Sequence, residues 1–218
     1  NPPSVLVGDF LHSRAFEMMV DIGNMRVMEI LSRATNIISE GEVQQLCNIR
    51  NPKTTEADYM EIITRKTAML FQAAAHSGAV LAGADKDTEA ALRDYGLHLG
   101  VAFQLVDDHL DYRGDTEALG KNVGDDLAEG KMTLPLIAAM RNGTDDQKAF
   151  ICDAIEKGGV ENLHSMINLV ESTGALKYTT DSANSQRCKA QECLSRVDDS
   201  EFKNAMSTLI NFVVDRHF

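Results

Sequence analysis

The spacing of the apolar residues constrains the fold of this chain more than any other feature of the sequence. These residues recur three or four positions apart, as in the stripe Tyr95, Leu99, Ala102 and Val106. Residues at this spacing share one face of an α-helix, whereas a half-buried strand requires apolar and polar residues in alternation. No turn dipeptide of the hairpin type lies between two alternating runs. The sequence therefore predicts an all-α fold.

Two helices are predicted in the central part of the chain. Thr55 and Asp58 have the spacing of a capping box, in which each side chain bonds the backbone N–H of the other residue. They predict a helix that continues to about residue 82. Asp85 or Asp87 begins the next helix, which carries the stripe described above, and Gly114 ends it.

The second half of the chain is also helical by pattern. Thr144 and Gln147 form a second capping box. Four apolar residues make the stripe of the last predicted helix: Phe202, Met206, Leu209 and Val213. No stretch has the composition of a long linker, so we expect residues 1–218 to form one domain.

Charge and composition exclude some partners. Lys and Arg number 21 against 33 Asp and Glu, a net charge of −12 at pH 7. Such a chain repels phosphate backbones, so we expect no nucleic-acid binding. No apolar run reaches the ~18 residues that span a bilayer, so we expect no transmembrane segment. The four cysteines form no CxxC pair, which favours reduced thiols and a cytoplasmic protein.

Three aspartates near the end of the second predicted helix are the candidate metal ligands. Asp107, Asp108 and Asp111 follow Gln104 at intervals that place all four side chains on one helix face. Carboxylates this close repel one another unless water screens them or a cation lies between them. Mg²⁺ prefers carboxylate oxygens and keeps water ligands that a substrate phosphate can replace. A solvated acidic face is the alternative interpretation.

Lysines suited to binding an anion lie near these aspartates. Lys121 and Lys131 belong to a glycine-rich segment that follows the predicted helix, and glycines allow the backbone to approach a ligand closely. Lys66 lies in mid-helix among apolar residues. The alternatives are surface lysines for the first two and, for Lys66, an ammonium that reaches out to water. The pair Asp125 and Asp126 is interpreted as a helix cap, with a role as ligands in the site as the alternative.

Five stretches of the sequence together resemble one enzyme family. They are the aspartate motif and its surroundings, the glycine-rich segment, and three shorter matches at corresponding relative positions: Phe103–Asp111, Gly120–Asp126, Gly130–Pro135, Lys66–Ala68 and Val5–Leu11. The chain resembles the trans-polyprenyl diphosphate synthases, and among them the bacterial long-chain type. The resemblance is strong from about residue 5 to residue 142, and beyond it only generic helices agree.

This resemblance implies a helical bundle of the isoprenoid synthase type with a central cavity between helices. It implies Mg²⁺ as the cofactor, with Asp107 as a direct ligand and with Asp108 and Asp111 supporting the metal directly or through water. Five side chains would contact the allylic diphosphate: Lys66, Thr67, Gln104, Lys121 and Lys131. The three aspartates and Lys66 would form the catalytic set.

The implied reaction adds isopentenyl diphosphate units to an allylic diphosphate. Cleavage of the allylic C–O bond releases diphosphate, whose developing charge is stabilised by metals and lysines. The double bond of isopentenyl diphosphate attacks the resulting cation, and loss of a proton regenerates an allylic product. The product would be a long-chain trans-polyprenyl diphosphate, a quinone side-chain precursor of the kind used for ubiquinone. Peripheral membrane contact would serve its release.

The sequence departs from the family pattern at its beginning. The family's first aspartate-rich motif, and the basic residues that hold isopentenyl diphosphate, have no match after Asn1, so the N-terminal helices of the family are expected to be missing. Met132 stands where proline is usual and His109 where an aliphatic residue is usual. The alternative function is therefore a non-catalytic α-helical subunit, or a fragment, of a heteromeric prenyl synthase. The intact aspartates and lysines favour the enzyme.

A homodimer is also expected from the resemblance. The small residues from Ala73 to Gly83, and the stripe through Tyr95 and Leu99, offer more apolar helix surface than one short domain easily hides. We expect the two copies to meet there.

Met19 is the candidate chain-length residue. Gly8, His12, Ala15 and Met19 share one helix face, and Met19 is the first long apolar side chain along it. If the prenyl tail follows this face, Met19 would form part of the floor that ends elongation. Ordinary core packing is the alternative.

Overall fold

The computed structural model describes residues 2–113, 123–158 and 163–216. This part of the chain contains no strand, so the predicted all-α fold is confirmed. It forms eleven α-helices and one π-helical turn in the following order: α1 (Pro2–Asp21), α2 (Met25–Asn48), α3 (Glu56–Ile63), the π turn (Thr64–Ala68), α4 (Met69–Leu81), α5 (Lys86–Arg113), α6 (Asp125–Ala128), α7 (Leu134–Asn142), α8 (Asp145–Lys157), α9 (Leu163–Ser172), α10 (Ala175–Leu194) and α11 (Glu201–Asp215).

The predicted helix starts are confirmed. The Asp58 N–H donates to the Thr55 hydroxyl at 3.2 Å, and the Thr55 N–H donates to the Asp58 carboxylate at 3.0 Å, which is the reciprocal pattern of a capping box. The second predicted box opens α8 in the same way. The carboxylate of Asp85 accepts the N–H groups of Asp87 and Thr88, so Asp85 is the residue that caps α5.

The helix predicted from Thr55 to about residue 82 is not one continuous α-helix. It consists of α3 and α4 with the π turn Thr64–Ala68 between them. The Met69 N–H donates to the Thr64 carbonyl five residues earlier, which places one extra residue in the turn and changes the direction of its side chains. Gly114, the predicted end of α5, lies outside the described residues.

Helices α4 and α5 approach each other through glycines. A Cβ atom at Gly96 would lie 2.5 Å from the Phe71 carbonyl oxygen, and one at Gly100 would lie 2.5 Å from the Ala68 Cα. Only hydrogen fits at these two positions of α5. The close contact fixes the distance between the helix that carries the aspartate motif and the π turn.

The predicted stripe on α5 is buried inside the chain rather than at its surface. Tyr95 and Leu99 are 2% and 5% exposed, and they pack with residues of α10 and α11 such as Ala190 and Ile210. The prediction that this stripe forms a dimer surface is therefore wrong. Helices α10 and α11 cover this stripe, and the sequence pattern did not reveal that they pack against α5.

The last helix is confirmed, but the stripe assigned to it is only partly buried. Ile210 and Val213 face the core, whereas Phe202 is 73% exposed and Leu209 is 45% exposed. Met206 packs against the core from its edge. The helix thus has apolar side chains on two faces, and counting apolar residues at helical spacing did not distinguish them.

Helix α1 carries apolar side chains that the other described residues do not cover. Seven of them are more than half exposed: Val5, Leu6, Val7, Phe10, Leu11, Met18 and Val20. Met19 is buried, at 8% exposed. Despite this surface, no described helix is long and apolar enough to cross a bilayer.

We expect Gly96→Ala to lower the free energy of unfolding by about 1–3 kcal/mol, because the added methyl group meets backbone atoms of α4 that cannot move aside separately. Gly78→Ala on α4 is the matched control. Its Cβ would meet nothing within 4 Å, so it should stabilise the helix by roughly 0.5–1 kcal/mol. Urea denaturation measures both, and equal effects of the two substitutions would contradict the close contact.

Candidate active site

A cavity of about 250 Å³ lies where α2, α3, the π turn and α5 meet the segment 126–133. Six of the predicted site residues line it: Lys66, Thr67, Gln104, Asp107, Asp108 and Lys131. They come from three separate parts of the sequence, and the fold brings them around one space. The other described lining residues include Gln45, Asn48, Thr54, Tyr59, Asp126 and Met132.

The π turn presents Lys66 and Thr67 to this cavity. The Lys66 ammonium donates to the Gln45 side-chain oxygen and pairs with the Glu42 carboxylate at 3.2 Å, both on α2. The ammonium is therefore held against the wall of the cavity by polar partners. The Thr67 hydroxyl donates to the Gln104 side-chain oxygen at 3.0 Å, which ties the π turn to α5.

Asp108 is a buried carboxyl group with both oxygens engaged. The Tyr59 hydroxyl donates to one oxygen at 2.5 Å, and the Gln104 side-chain amide donates to the other at 2.8 Å. The residue is 2% exposed. Burial and the nearby charge of Asp126 raise the pKa of Asp108 to about 8, against the opposing effect of the two hydrogen bonds.

Asp111 lies one turn further along α5 and is not among the described residues that line the cavity. Its carboxylate accepts the Asp126 N–H at 3.3 Å, and its backbone carbonyl accepts the Gly124 N–H at 2.9 Å. Burial, followed by the charge of Asp126, raises the pKa of Asp111 to about 7. Asp111 thus holds the start of the segment that carries Lys131.

Asp126 and Lys131 form the opposite wall. The Lys131 ammonium donates to the Asp126 carboxylate and pairs with the Glu129 carboxylate, each at 2.8 Å. Burial opposes the charge of Lys131, but these two carboxylates outweigh it and raise its pKa. The interpretation of Asp125 and Asp126 as helix caps is wrong in one respect, because Gly124, with φ of 88°, occupies the cap position of α6. Asp126 lies in the first turn and faces the cavity.

Besides Asp111, two predicted residues are not among the described residues that line the cavity. Lys121 lies outside the described residues. Met19 is buried, but it is not among the described residues that line this cavity. Its role as a chain-length floor stays a prediction.

The oxygen donors around the cavity fit a hard cation that is bound by the protein and by an anionic ligand at the same time. Within residues 2–113, 123–158 and 163–216, no three Asp, Glu, His or Cys side chains converge as a ready metal site. Mg²⁺ does not need such a cage, since it is usually bound by one or two carboxylates, waters and substrate phosphates. Asp107 and Asp126 supply carboxylates, and Lys66 and Lys131 supply cations for the anion.

Among the residues that the sequence pattern did not reveal are three that contact predicted site residues. Tyr59 precedes Lys66 by seven residues, so the face of the predicted helix could have revealed it. Gln45 reaches the cavity from α2, and no local spacing links it to Lys66. Arg216 follows α11, and its guanidinium lies 3.9 Å from the Asp107 carboxylate.

Comparison with known proteins gives the class to which this fold and site belong. The family model for polyprenyl synthetases matches residues 1–170. The octaprenyl diphosphate synthase of Haemophilus influenzae is 47% identical over 219 aligned residues, which cover 100% of this chain and 67% of that enzyme. This chain belongs to the polyprenyl synthetase family.

Two solved structures agree in detail with the fold. A polyprenyl synthase from Caulobacter crescentus CB15, crystallised with calcium and isoprenyl diphosphate, has a TM-score of 0.95 and 45% identity, covering 100% of this chain and 67% of its own. A decaprenyl diphosphate synthase from Rhodobacter capsulatus has a TM-score of 0.93 and 43% identity, covering 100% of this chain and 68% of its own.

These relatives confirm the resemblance that the motifs indicated, including the long-chain type and the isoprenoid synthase fold. They also extend it, because the similarity covers the whole chain rather than ending near residue 142. The chain spans about two thirds of the length of the relatives it matches, 67% in the Haemophilus influenzae enzyme.

We expect the free energy of unfolding of the metal-free protein to fall as the pH rises from about 4 to about 8. In the folded protein Asp111 and Asp108 keep their protons up to about pH 7 and pH 8, whereas an unfolded Asp releases its proton near pH 4. Between these values the folded state binds more protons, so its stability is lost as the pH rises through the folded pKa values. Urea denaturation at several pH values measures this dependence.

Two variants show whether Asp108 contributes to this pH dependence, one as the test and one as its control. Asp108→Asn removes one of the two raised pKa values and should flatten the profile above about pH 7. Asp181→Asn, at an exposed aspartate of α10, should leave the profile as it is. A profile that Asp108→Asn does not change would show that this carboxyl does not titrate in the stated range.

Proposed function

We propose that this chain is a long-chain trans-prenyltransferase that adds isopentenyl diphosphate units to an allylic diphosphate. The observation that carries the proposal is one cavity in which Lys66 and Lys131 lie with the carboxylates of Asp107 and Asp126, in a chain similar to octaprenyl and decaprenyl diphosphate synthases. A non-catalytic subunit is not favoured, because such a protein would need neither the cations nor the carboxylates.

The residues of the cavity divide the work of holding the allylic diphosphate. Lys66 and Lys131 supply positive charge, and Thr67 and Gln104 supply hydrogen-bonding groups beside them. The lysines are now paired with carboxylates of α2 and of the segment 126–131, so an arriving anion would share or replace those partners. Lys121 is included in this set on the family resemblance alone.

The aspartates would hold Mg²⁺. Asp107 lines the cavity and is the direct ligand in this proposal, and Asp108 and Asp111 support the metal through water or by fixing the elements around it. When bound, Mg²⁺ supplies positive charge that stabilises the departing diphosphate. The protein contributes a buried, preorganised surround in which that charge acts more strongly than in water.

The product in this proposal is a precursor of a quinone side chain, made in the cytoplasm and released through peripheral contact with a membrane. Similarity to octaprenyl and decaprenyl diphosphate synthases supports a long product. Met19 remains the proposed floor of the elongation path.

The enzyme would act as a homodimer, with α1 rather than α5 at the interface. The exposed apolar side chains of α1, such as Val5, Phe10 and Leu11, are each more than half exposed. An apolar surface of this kind is typical of a site that another protein surface covers.

Mg²⁺ and inorganic diphosphate should each strengthen the binding of the other. The carboxylates attract the metal, and the metal bridges to the anion. One coupling free energy therefore describes how much each ligand strengthens the binding of the other. Calorimetric titration of inorganic diphosphate with and without Mg²⁺ tests this, and titration with orthophosphate provides a weaker-binding comparison. Equal affinity for diphosphate in both conditions would refute the proposed site.

Asp107→Ala should reduce the rate of chain elongation by at least about a hundredfold, because it removes a carboxylate proposed to hold the metal. Asp125→Ala is the matched control, since Asp125 is an acidic residue of the first turn of α6 that does not line the cavity. Steady-state kinetics with farnesyl diphosphate and isopentenyl diphosphate, in a chain that also carries the family's first aspartate-rich motif, measures both. Comparable losses of rate in the two variants would show that Asp107 is not a ligand of the metal.

A further inference from the structure

Arg216 is a largely buried cation beside the aspartate motif, and it has no role in the function proposed above. Its side chain is 12% exposed. It follows α11, whose residues Ile210 and Val213 are buried against the α5 stripe. A charged group withdrawn from water to this extent is costly unless its surroundings offer hydrogen bonds and an opposite charge. The partners of Arg216 therefore indicate what it is held there to do.

The Arg216 side chain contacts two residues of α5 that lie about one turn apart. Its guanidinium donates to the Phe103 carbonyl at 3.1 Å and stacks over the Phe103 ring, with 4.4 Å between the guanidinium carbon and the ring centroid. The guanidinium also lies 3.9 Å from the Asp107 carboxylate. Phe103 and Asp107 are four residues apart and so lie one above the other on the helix.

The stacking and the hydrogen bond fix the plane of the guanidinium, and the guanidinium in turn faces one particular carboxylate. Asp107 has 35% of its side chain exposed, so it lies at the cavity wall rather than in the core. Arginine suits this task better than lysine, because a planar guanidinium can stack on a ring and bond in its plane at the same time.

We propose that Arg216 is a positioning residue for Asp107: docked on Phe103, it holds the Asp107 carboxylate in the direction that binds the metal–diphosphate complex. This inference rests on the proposed function. It makes the end of the last helix part of the metal site, although 109 positions separate Arg216 from Asp107 in the sequence.

Arg216→Met tests the proposal, because methionine keeps an apolar stem for packing and removes the charge and the fork. We expect inorganic diphosphate to bind about tenfold more weakly in the presence of Mg²⁺, the lower end of the loss usual for residues that orient a metal ligand. Arg187→Met is the matched control. Arg187 pairs with Asp215 at 2.9 Å and also ties α11 to α10, but away from the cavity. The affinity of the Arg187→Met variant for diphosphate should therefore stay within about twofold of the original.

A double-mutant cycle shows whether Arg216 acts through Asp107. Asp107→Asn keeps one oxygen that can bind a metal, so diphosphate binding is weakened but measurable. In that background Arg216→Met should change the affinity by less than about twofold. The same tenfold loss in both backgrounds would overturn the proposal, because Arg216 would then act on the anion directly or through the fold. No loss in the original background would also overturn it and leave Arg216 as a packing residue.

Two further measurements separate the possible failures. If Arg216→Met does not fold, Arg216→Lys keeps the charge and most of the stem, and it should still lose at least about threefold in affinity, with Arg187→Lys as its control. Unchanged binding by Arg216→Lys then overturns the inference. If the original protein binds diphosphate equally with and without Mg²⁺, the proposed function fails, whatever the variants show.

Discussion

The arrangement of this site depends on how the protein keeps one carboxyl group, Asp108, away from water. A buried carboxyl is unfavourable by several kcal/mol unless hydrogen bonds replace its hydration. Tyr59 from α3 and Gln104 from α5 provide those bonds, and Thr67 of the π turn holds Gln104 in the required orientation. Three elements are thereby fixed to one another around a single group. The cavity walls that carry Lys66 and Asp107 follow from this fixation.

Opposite charges alternate around the cavity, and this explains how a strongly acidic protein can receive an anion. Lys66 is paired with a carboxylate of α2, and Lys131 with two carboxylates of its own segment. Lys131 stays charged although it is partly withdrawn from water, because its carboxylate partners raise the pKa of its ammonium group. The net charge of −12 describes the whole surface, whereas binding responds to the local balance, which a bound metal shifts further towards positive.

The sequence was sufficient where the determining interactions are local and insufficient where they are not. Thr55 with Asp58, and Gln104 with Asp107 and Asp108, act within one or two helical turns, so their spacing predicted the helix start and the side chains that line one cavity. The π turn arises from packing against α2 and α5, which no local pattern records. Arg216 reaches Asp107 from another helix, and the burial of Tyr95 required knowing where α10 and α11 lie. The proposed roles of Met19 and Lys121 stay predictions.

Two hydrogen bonds link Thr67 to Asp108 through Gln104, and each has a defined donor and acceptor. This order of donors and acceptors changes when an anion binds in the cavity. A hydroxyl has one proton, and that of Thr67 is given to the Gln104 oxygen, whose amide group in turn donates to Asp108. An anion that takes the Thr67 proton leaves the Gln104 oxygen without its donor. Because hydrogen bonds in a chain strengthen one another, the bond from Gln104 to Asp108 is then weakened, and Asp108 also accepts the Tyr59 hydroxyl of a different helix. A full site and an empty one thus differ in which hydrogen bonds are made, even if no helix moves.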